Sequence, residues 1–175
     1  MRRLTHVLLG TILICGILRP ARAELIHGTL MLQAQSVSPI PGVWDCGTAA
    51  DFSSQTTVFW ASSDADICTS TTASQGTTWQ FLGSNGARIL RVSEALEDVK
   101  EAPTVTNVIS DLYAGATYVV YTGDSLYVKF AVQGFDSQLG QATLEYYVQM
   151  DGTTDLDSTV PVDASSWGRI KSLYR

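Results

Sequence analysis

Two short turns between apolar stretches constrain this chain more than any other feature of its sequence. Asn85-Gly86 and Gly123-Asp124 each lie between two runs rich in Val, Leu, Tyr and Phe. Both pairs favour the positive φ angles of two-residue β-hairpin turns. No long segment after residue 24 has helical periodicity, whereas turn residues recur about every ten positions, which is typical of all-β domains. The sequence therefore predicts an antiparallel β-sandwich, or a partly open barrel, built from hairpins.

The turns also predict which residues face each other. A two-residue turn at Asn85-Gly86 places Phe81 opposite Leu90 and Trp79 opposite Val92, all four on one apolar face. We therefore expect Trp79 to belong to the core.

A two-residue turn at Gly123-Asp124 places Val119 opposite Val128 and Tyr118 opposite Lys129. Lys129 then lies on the outer face, where it packs along tyrosines in a structural role or grips a ligand carboxylate. The structural role is the preferred interpretation.

Further strands follow from alternation of apolar and polar residues. We predict strands at residues 25–37, 56–61 and 65–69, and a strand at 142–150 that completes a C-terminal meander. Residues 93–98 are expected to form a turn.

The N-terminus predicts export. Arg2 and Arg3 precede an apolar run at residues 7–18, and Ala21-Arg22-Ala23 has the small-x-small pattern of a signal-peptidase site. We interpret residues 1–23 as a cleaved signal peptide, residues 24–160 as one β-sandwich domain, and residues 161–175 as a C-terminal tail. Lipidation at Cys15 is the alternative. The mature protein is expected to be secreted, periplasmic or on the cell surface.

The net charge of residues 24–175 limits the classes of partner that we expect. Residues 24–175 hold 7 basic and 17 acidic residues, because four of the eleven basic residues lie in the predicted signal. This acidic field disfavours nucleic acid and anionic membranes. We expect no membrane insertion, and either a protein or a surface glycan as partner.

Two cysteines remain in the predicted mature chain, Cys46 and Cys68. An even pair in an oxidising compartment predicts a disulfide, with two unpaired thiols as the alternative. There is no C-x-x-C motif for redox chemistry.

A resemblance covers residues 102–153. The stretches Gly115-Ala-Thr-Tyr-Val-Val-Tyr-Thr122, Tyr127-Val-Lys-Phe-Ala-Val132 and Leu144-Glu-Tyr-Tyr-Val-Gln-Met-Asp-Gly-Thr153 resemble a module of secreted bacterial β-domains. Similar strands occur at the C-terminus of the haemophore-like, haem-binding lipoproteins of Bacteroidetes and in uncharacterised exported proteins. The resemblance implies an exported β-domain and, as one option, haem carriage. Haem ligation by paired histidines is not available, since His27 is the one histidine after residue 23.

Calcium is the one metal that the sequence suggests. Asp151, Asp155 and Asp157 cluster carboxylates in a turn, and oxygen-rich loops bind Ca²⁺ in secreted proteins. Solvated turn residues are the alternative interpretation, and no other cofactor is expected.

Catalytic patterns are scarce, since His27 accompanies no nucleophile motif such as G-x-S-x-G. We expect no enzymatic activity. Trp44 and Trp167 are the candidate aromatics of a binding surface.

The leading hypothesis is an exported, non-enzymatic β-sandwich that acts as a binding or structural module at or outside the cell surface. A filament subunit is the first alternative, because the apolar N-terminal strand with Leu25, Ile26, Leu30 and Leu32 could be donated to a neighbouring copy. Pairing of this strand within its own sheet is the competing interpretation. Carriage of a small ligand such as haem is the second alternative.

Overall fold

The structure, a computed structural model, describes residues 25–36, 43–71 and 78–157. Within these ranges the chain forms β-strands and no helix, as predicted. The strands are β1 (Leu25–Ser36), β2 (Trp44–Cys46), β3 (Thr48–Asp51), β4 (Thr56–Phe59), β5 (Ile67–Thr71), β6 (Trp79–Gly83), β7 (Arg88–Val92), β8 (Ile109–Asp111), β9 (Thr117–Tyr121), β10 (Tyr127–Asp136) and β11 (Gln141–Gln149).

The strands form two antiparallel sheets, which confirms the predicted sandwich. One sheet has six strands in the order β2-β1-β11-β10-β9-β7, and the other has five in the order β4-β3-β5-β6-β8. The predicted meander is present as β9, β10 and β11. Strands β2, β3 and β8 were not predicted, because three or four residues are too few to show alternation.

The core between the sheets is aromatic at its centre. Phe130 stacks on Tyr118 at 5.1 Å between ring centroids and meets Phe81 edge-on at 5.3 Å. The Tyr118 hydroxyl donates to the Asp111 carbonyl at 2.8 Å and accepts from the Tyr113 amide at 2.9 Å. Because the buried Tyr118 hydroxyl both donates and accepts a hydrogen bond, its burial does not incur the cost of an unmade hydrogen bond.

The turn at Asn85-Gly86 is confirmed, but the predicted hairpin is wrong. Both residues have positive φ angles, 47° and 91°, and the Ala87 amide donates to the Ser84 carbonyl at 2.8 Å. Strand β6 nevertheless pairs with β5 and β8, while β7 pairs with β9 in the other sheet. The turn thus connects the two sheets across the core.

Because this turn connects two sheets and does not form a hairpin, different residues of β7 are buried. Ile89, not Leu90, lies in the core with Phe81. Trp79 packs against the same core, as expected. Strands β6 and β7 do not pair with each other, so the inward and outward positions that a hairpin register would give do not apply to β7.

The second hairpin exists, with its register shifted by one residue. Strand β10 pairs Phe130 with Tyr118 and Lys129 with Val119. The Ser125 amide donates to the Thr122 carbonyl, and Ser125 itself has a φ of 65°. This is a three-residue loop with a left-handed residue at its end, a geometry that favours glycine at the position of Ser125.

The shift moves β9 to the opposite face. A slip of one residue exchanges all inward and outward side chains of a strand. Tyr118 and Val120 therefore join the core, whereas Val119 faces outward beside Lys129.

A third layer covers the outer face of the six-stranded sheet. We call residues 93–102 and 151–157 the cap. Its two parts are joined by backbone hydrogen bonds from Ala102 to the Thr154 carbonyl and from Leu156 to the Lys100 carbonyl, both at 2.8 Å. Residues 93–98 form the expected turn.

The cap buries Lys129. Lys129 is fully buried, although a residue on an outer face is expected to keep its ammonium in water. Its ammonium donates to the Val99 carbonyl at 2.9 Å and lies 5.1 Å from the centroid of the Tyr147 ring. Burial lowers the pKa of Lys129, and the carboxylates of the cap, Asp157 first among them, oppose this effect. These contacts are structural, with the cap and Tyr147, whereas Tyr118, which the predicted register placed beside Lys129, lies in the core.

The predicted disulfide is present between Cys46 and Cys68. It joins β2 of one sheet to β5 of the other. Ala49 and Ala65 pack around it in a small second core, with Val58 and Leu82 partly buried against them.

Candidate functional site

Two adjacent aromatic side chains stand exposed at the end of β4. Phe59 is 63% exposed and Trp60 is 39% exposed, and their ring centroids lie 6.1 Å apart. We call this pair the aromatic ridge. Single exposed apolar residues are ordinary, but adjacent exposed aromatics are typical of contact surfaces.

The loop that follows the ridge is held by hydrogen bonds. The Trp60 amide donates to the Gly47 carbonyl at 3.3 Å, and the Ser62 amide donates to the Phe59 carbonyl at 2.8 Å. The Asn85 side-chain amide donates to the carbonyls of Ser62 and Ala65 at 2.8 and 2.9 Å. The backbone beside the ridge is therefore held in place before any partner binds, which lowers the entropy lost on binding.

The ridge lies on an edge strand. Strand β4 is the terminal member of the five-stranded sheet, and it pairs with β3 from Thr48↔Phe59 to Asp51↔Thr56. Among the described residues no strand covers its other side. An edge of this kind offers main-chain donors and acceptors to an added strand.

The sequence missed the ridge because residues 56–61 consist mostly of β-branched and aromatic residues, which predicts an ordinary strand. Two aromatics in consecutive positions, Phe59 and Trp60, were the available signal. Consecutive side chains point to opposite faces, so a covered strand cannot bury both against one neighbour.

The predicted aromatic Trp44 is in a different setting. It is half-buried and meets Trp79 at 5.7 Å, and Trp79 in turn meets Phe135 edge-on at 5.0 Å. Trp44 thus shares its ring contacts with the core. Trp167 lies outside the described residues.

A small polar cavity lies beyond the ridge loop. Its volume is about 110 Å³, and its polar lining comes from Ser63, Asp64, Asp66, Asn85 and Asp124. Three segments line the cavity: residues 63–66, Asn85 and residues 123–124. The first two are joined by a hydrogen bond from the Ser84 amide to the Asp66 carbonyl at 2.7 Å.

Asp66 is the buried carboxylate of this cavity. Burial raises its pKa to about 6, with a contribution from the charges of Asp51 and Asp124, although the Phe52 amide donates to it at 2.9 Å. Asp51 is opposite in behaviour: hydrogen bonds from Ser53 and Ser54 outweigh burial and lower its pKa. At neutral pH both carboxylates are ionised, and Asp66 is the one that opposes folding.

We expect this buried charge to make the protein less stable as pH rises. The pKa of Asp66 is higher in the folded chain than in the unfolded chain, so the folded chain binds more protons between about pH 4 and 6. Its contribution is complete below the unfolded pKa and is lost as pH rises through about 6. Asp66→Asn should flatten this dependence and raise stability at pH 7.5 by about 1–2 kcal/mol, measured by urea unfolding.

The matched control is Asp64→Asn, which removes the same charge from an exposed position in the same cavity. It should leave the slope between about pH 4 and 6 unchanged. An equal flattening in both variants would show that the slope arises from general charge repulsion and not from burial of Asp66.

Two of the three predicted calcium residues accept hydrogen bonds within their own turns. Asp151 accepts from the Thr153 amide at 2.9 Å, and Asp155 accepts from the Asp157 amide at 3.1 Å. Within the described residues no group of three or more His, Cys, Asp or Glu side chains is placed to hold a metal ion. Calcium binding at Asp151, Asp155 and Asp157 stays a prediction.

One side-chain oxygen at the end of β11, next to the cap, has no hydrogen-bond donor among the described residues. Gln149 is 2% exposed, and its Nε2 donates to the Asp155 carbonyl at 2.6 Å and to the Thr153 hydroxyl at 3.2 Å. Its Oε1 has no hydrogen-bond donor among the described residues. A buried acceptor without a donor costs about 1–3 kcal/mol, so this position favours an additional donor.

The N-terminal strand lies within its own sheet. Strand β1 pairs with β11 from Leu25↔Gln149 to Gln33↔Gln141. Leu30 and Leu32 are buried, whereas Leu25 and Ile26 are half-buried. Donation to a neighbour would require β1 to leave this sheet, and the filament alternative stays a prediction.

His27 lies on the outer face of β1. Its Nε2 is 2.9 Å from Glu145 Oε1, and its ring stacks on Tyr147 at 4.5 Å. Gln133 donates to the other oxygen of Glu145. The imidazole is thus already engaged by neighbouring side chains, and nothing in its contacts singles out haem as a ligand.

No protein-family model matches the chain, and no curated protein matches its sequence. In the described part of the chain, no helix is both long and apolar enough to span a bilayer.

Proposed function

We propose that this protein is an exported, non-enzymatic β-sandwich that acts as a binding module at or outside the cell surface. Its contact surface is the aromatic ridge together with the edge of β4, and its partner is an extended segment of an extracellular protein. The observation that carries this proposal is the exposure of Phe59 and Trp60 at the end of β4, next to a loop whose backbone is held by hydrogen bonds.

The geometry supports recognition by strand addition. A segment that pairs with the outer side of β4 gains main-chain hydrogen bonds, while side chains of the strand and the loop supply specificity. Aromatic residues give the largest contributions at such contacts. The open edge of β4 supplies the main-chain hydrogen bonds, and the ridge beside it supplies the aromatic contacts.

Export is supported by two independent features. Residues 1–23 have the pattern of a secretory signal, and the disulfide between Cys46 and Cys68 is characteristic of oxidising compartments. The excess of acidic residues favours neutral or basic partner segments.

A peptide-display experiment tests the contact surface. Linear peptides selected against the protein from a random library should lose at least about tenfold in affinity when Phe59 and Trp60 are both replaced by alanine, because hot-spot aromatics contribute 2 kcal/mol or more, roughly. The affinity is measured by biolayer interferometry.

The control is Met31→Ala with Leu139→Ala, which removes two apolar side chains of comparable exposure, 54% and 53%, from β1 and from the β10–β11 connection. This variant should bind as the parent does. Equal loss in both variants, or selected peptides that ignore the ridge, would overturn the proposed surface. If the ridge variant instead loses binding on a glycan array, the partner is a surface glycan.

A further inference from the structure

The terminal strands of the two sheets differ in how their outer edges are protected. Strands β2 and β7 end the six-stranded sheet, and β4 and β8 end the five-stranded sheet. Natural sheets protect such edges with charged side chains, proline or a covering segment, because a bare edge pairs with strands of other chains. An edge without this protection is therefore the place where another chain adds to the sheet.

Both edges of the six-stranded sheet are protected. Strand β2 carries the exposed Asp45, and its Trp44 amide donates to the Thr71 hydroxyl at 2.8 Å. Strand β7 carries two arginines, and its Ile89 amide donates to the Asn107 carbonyl at 2.7 Å. Charge and occupied main-chain groups thus oppose strand addition at both places.

The two edges of the five-stranded sheet differ from each other. Strand β8 carries the exposed Asp111, whose carbonyl accepts from the Tyr118 hydroxyl at 2.8 Å. Strand β4 has the sequence Thr-Thr-Val-Phe, with neither a charge nor a proline. No strand lies on its outer side in the part of the chain that the structure describes. Of the four terminal strands, β4 is thus the one whose edge lacks protection.

The pairing of β4 with β3 identifies its outward main-chain groups. The Trp60 amide donates to the Gly47 carbonyl, so it points toward β3. Main-chain groups alternate in direction along an antiparallel strand, so those of Thr57 and Phe59 point outward. The Phe59 carbonyl also accepts from the Ser62 amide at 2.8 Å. Both outward amides and the Thr57 carbonyl have no main-chain partner among the described residues.

A second copy of β4 matches these groups. A two-fold axis at Val58 sets two β4 strands antiparallel, with Thr57 opposite Phe59 and Thr56 opposite Trp60 of the other copy. Each Phe59 amide then donates to the Thr57 carbonyl of the other copy. Aromatic side chains next to β-branched ones across a strand pair are favourable, so the ridge gains a contact at both positions.

Charge favours β4 over the other edges for contact between two copies. Residues 24–157 contain four basic and sixteen acidic residues, so copies of the protein repel each other over most of their surface. Self-pairing at β2, β7 or β8 would bring charged side chains of both copies into the contact, whereas β4 brings none. A second copy also offers a strand that is already ordered, which costs less entropy than ordering a flexible peptide.

We propose that two copies of this protein pair through β4 about a two-fold axis, an inference that rests on the proposed function of this surface and names its partner. The two five-stranded sheets become one continuous sheet, and both aromatic ridges are covered. Because each copy uses the same edge, the assembly closes at two copies and does not extend into a filament.

Analytical ultracentrifugation of the full protein tests this pairing. At about 200 µM, a concentration that populates even weak dimers, the parent should sediment as a dimer. Thr57→Pro removes an outward amide, which edge strands tolerate, and should weaken the dimer at least about tenfold through the lost hydrogen bonds.

The matched control is Ile109→Pro on the opposite edge of the same sheet. Ile109 is 50% exposed, and its neighbour Val108 bonds to β6 through the Gly83 amide, so the Ile109 amide also points outward. This variant should dimerise as the parent does. Phe59→Ala with Trp60→Ala provides a second disruption that leaves the main chain of β4 unchanged.

Hydrogen exchange gives a readout that needs no variant. Amides of residues 56–60 should exchange about tenfold more slowly when the protein concentration is raised from about 2 to 200 µM, because only the dimer protects the outward ones. Exchange of residues 109–111 should not depend on concentration. Protection of residues 56–60 at every concentration would assign the edge to a segment of the same chain and would overturn the dimer.

The outcomes separate this inference from the proposed function. A dimer that Thr57→Pro dissociates supports both, and peptides selected against the ridge should then compete with the second copy. A parent that stays monomeric at about 200 µM while peptides bind the ridge overturns the dimer alone. A monomer to which no peptide binds through the ridge overturns both. A dimer that survives Thr57→Pro, or assembly beyond two copies, uses another surface and contradicts the inference.

Discussion

Replacing Lys129 with alanine should cost about 3–4 kcal/mol of unfolding free energy. The change removes a long, fully buried stem, for which truncation to alanine costs roughly 2–5 kcal/mol. It also leaves the Val99 carbonyl without the ammonium that donates to it at 2.9 Å. Relief of a desolvated charge offsets part of this loss, since burial lowers the pKa of Lys129. Urea unfolding measures the difference.

Two companion variants identify the source of that cost. Lys129→Met keeps the stem and removes the charge, so it should cost only about 1 kcal/mol. Lys100→Ala, at an exposed position of the cap, should stay within about 0.5 kcal/mol of the parent. If Lys129→Ala were as mild as Lys100→Ala, Lys129 would not hold the cap on the sheet.

Lys129 also shows how far the sequence could lead. Alternation in residues 127–130 correctly placed its side chain on the outer face of β10, opposite the core residues Val128 and Phe130. What covers that face could not be predicted. The cap joins residues 93–102 to residues 151–157, and contacts between distant irregular segments leave no periodic signal.

The predictions of the two hairpins were wrong for different physical reasons. At Gly123-Asp124 the sequence offers glycine at the first turn position, but the chain places Ser125 in the left-handed region and forms a three-residue loop. At Asn85-Gly86 the local turn is the predicted one, and the strands beyond it belong to different sheets. Local chemistry determines a turn, whereas pairing partners depend on the competition of all strands for neighbours.

The candidate site was the least predictable part. Trp44, a predicted aromatic of the binding surface, contacts Trp79 in the aromatic cluster. Phe59 and Trp60 lie in a stretch of β-branched and aromatic residues typical of strands, and the position of β4 at the edge of its sheet leaves them uncovered. Whether a strand lies at the edge depends on the order of all strands in the sheet, and the sequence of one strand does not predict that order.

The disulfide links this site to the stability of the whole sandwich. Cys46 and Cys68 are 22 residues apart in sequence, and the bond between them joins the two sheets next to β3, on which β4 pairs. Replacing both with alanine should cost about 3 kcal/mol in unfolding free energy, because the unfolded chain regains the entropy of that loop. Denaturant unfolding, followed by tryptophan fluorescence, measures the loss.

The position of the bond predicts a second, separable effect on the ridge. Val58 of β4 packs against the small core around the disulfide, and the Trp60 amide is bonded to Gly47, the neighbour of Cys46. Loss of the bond should therefore weaken peptide binding at the ridge under conditions in which the sandwich is still folded. The parent protein treated with a reductant is the matched control, because it lacks the same bond and keeps both side chains. If reduced parent and double-alanine variant bind and unfold like the oxidised parent, the disulfide supports neither the sandwich nor the ridge.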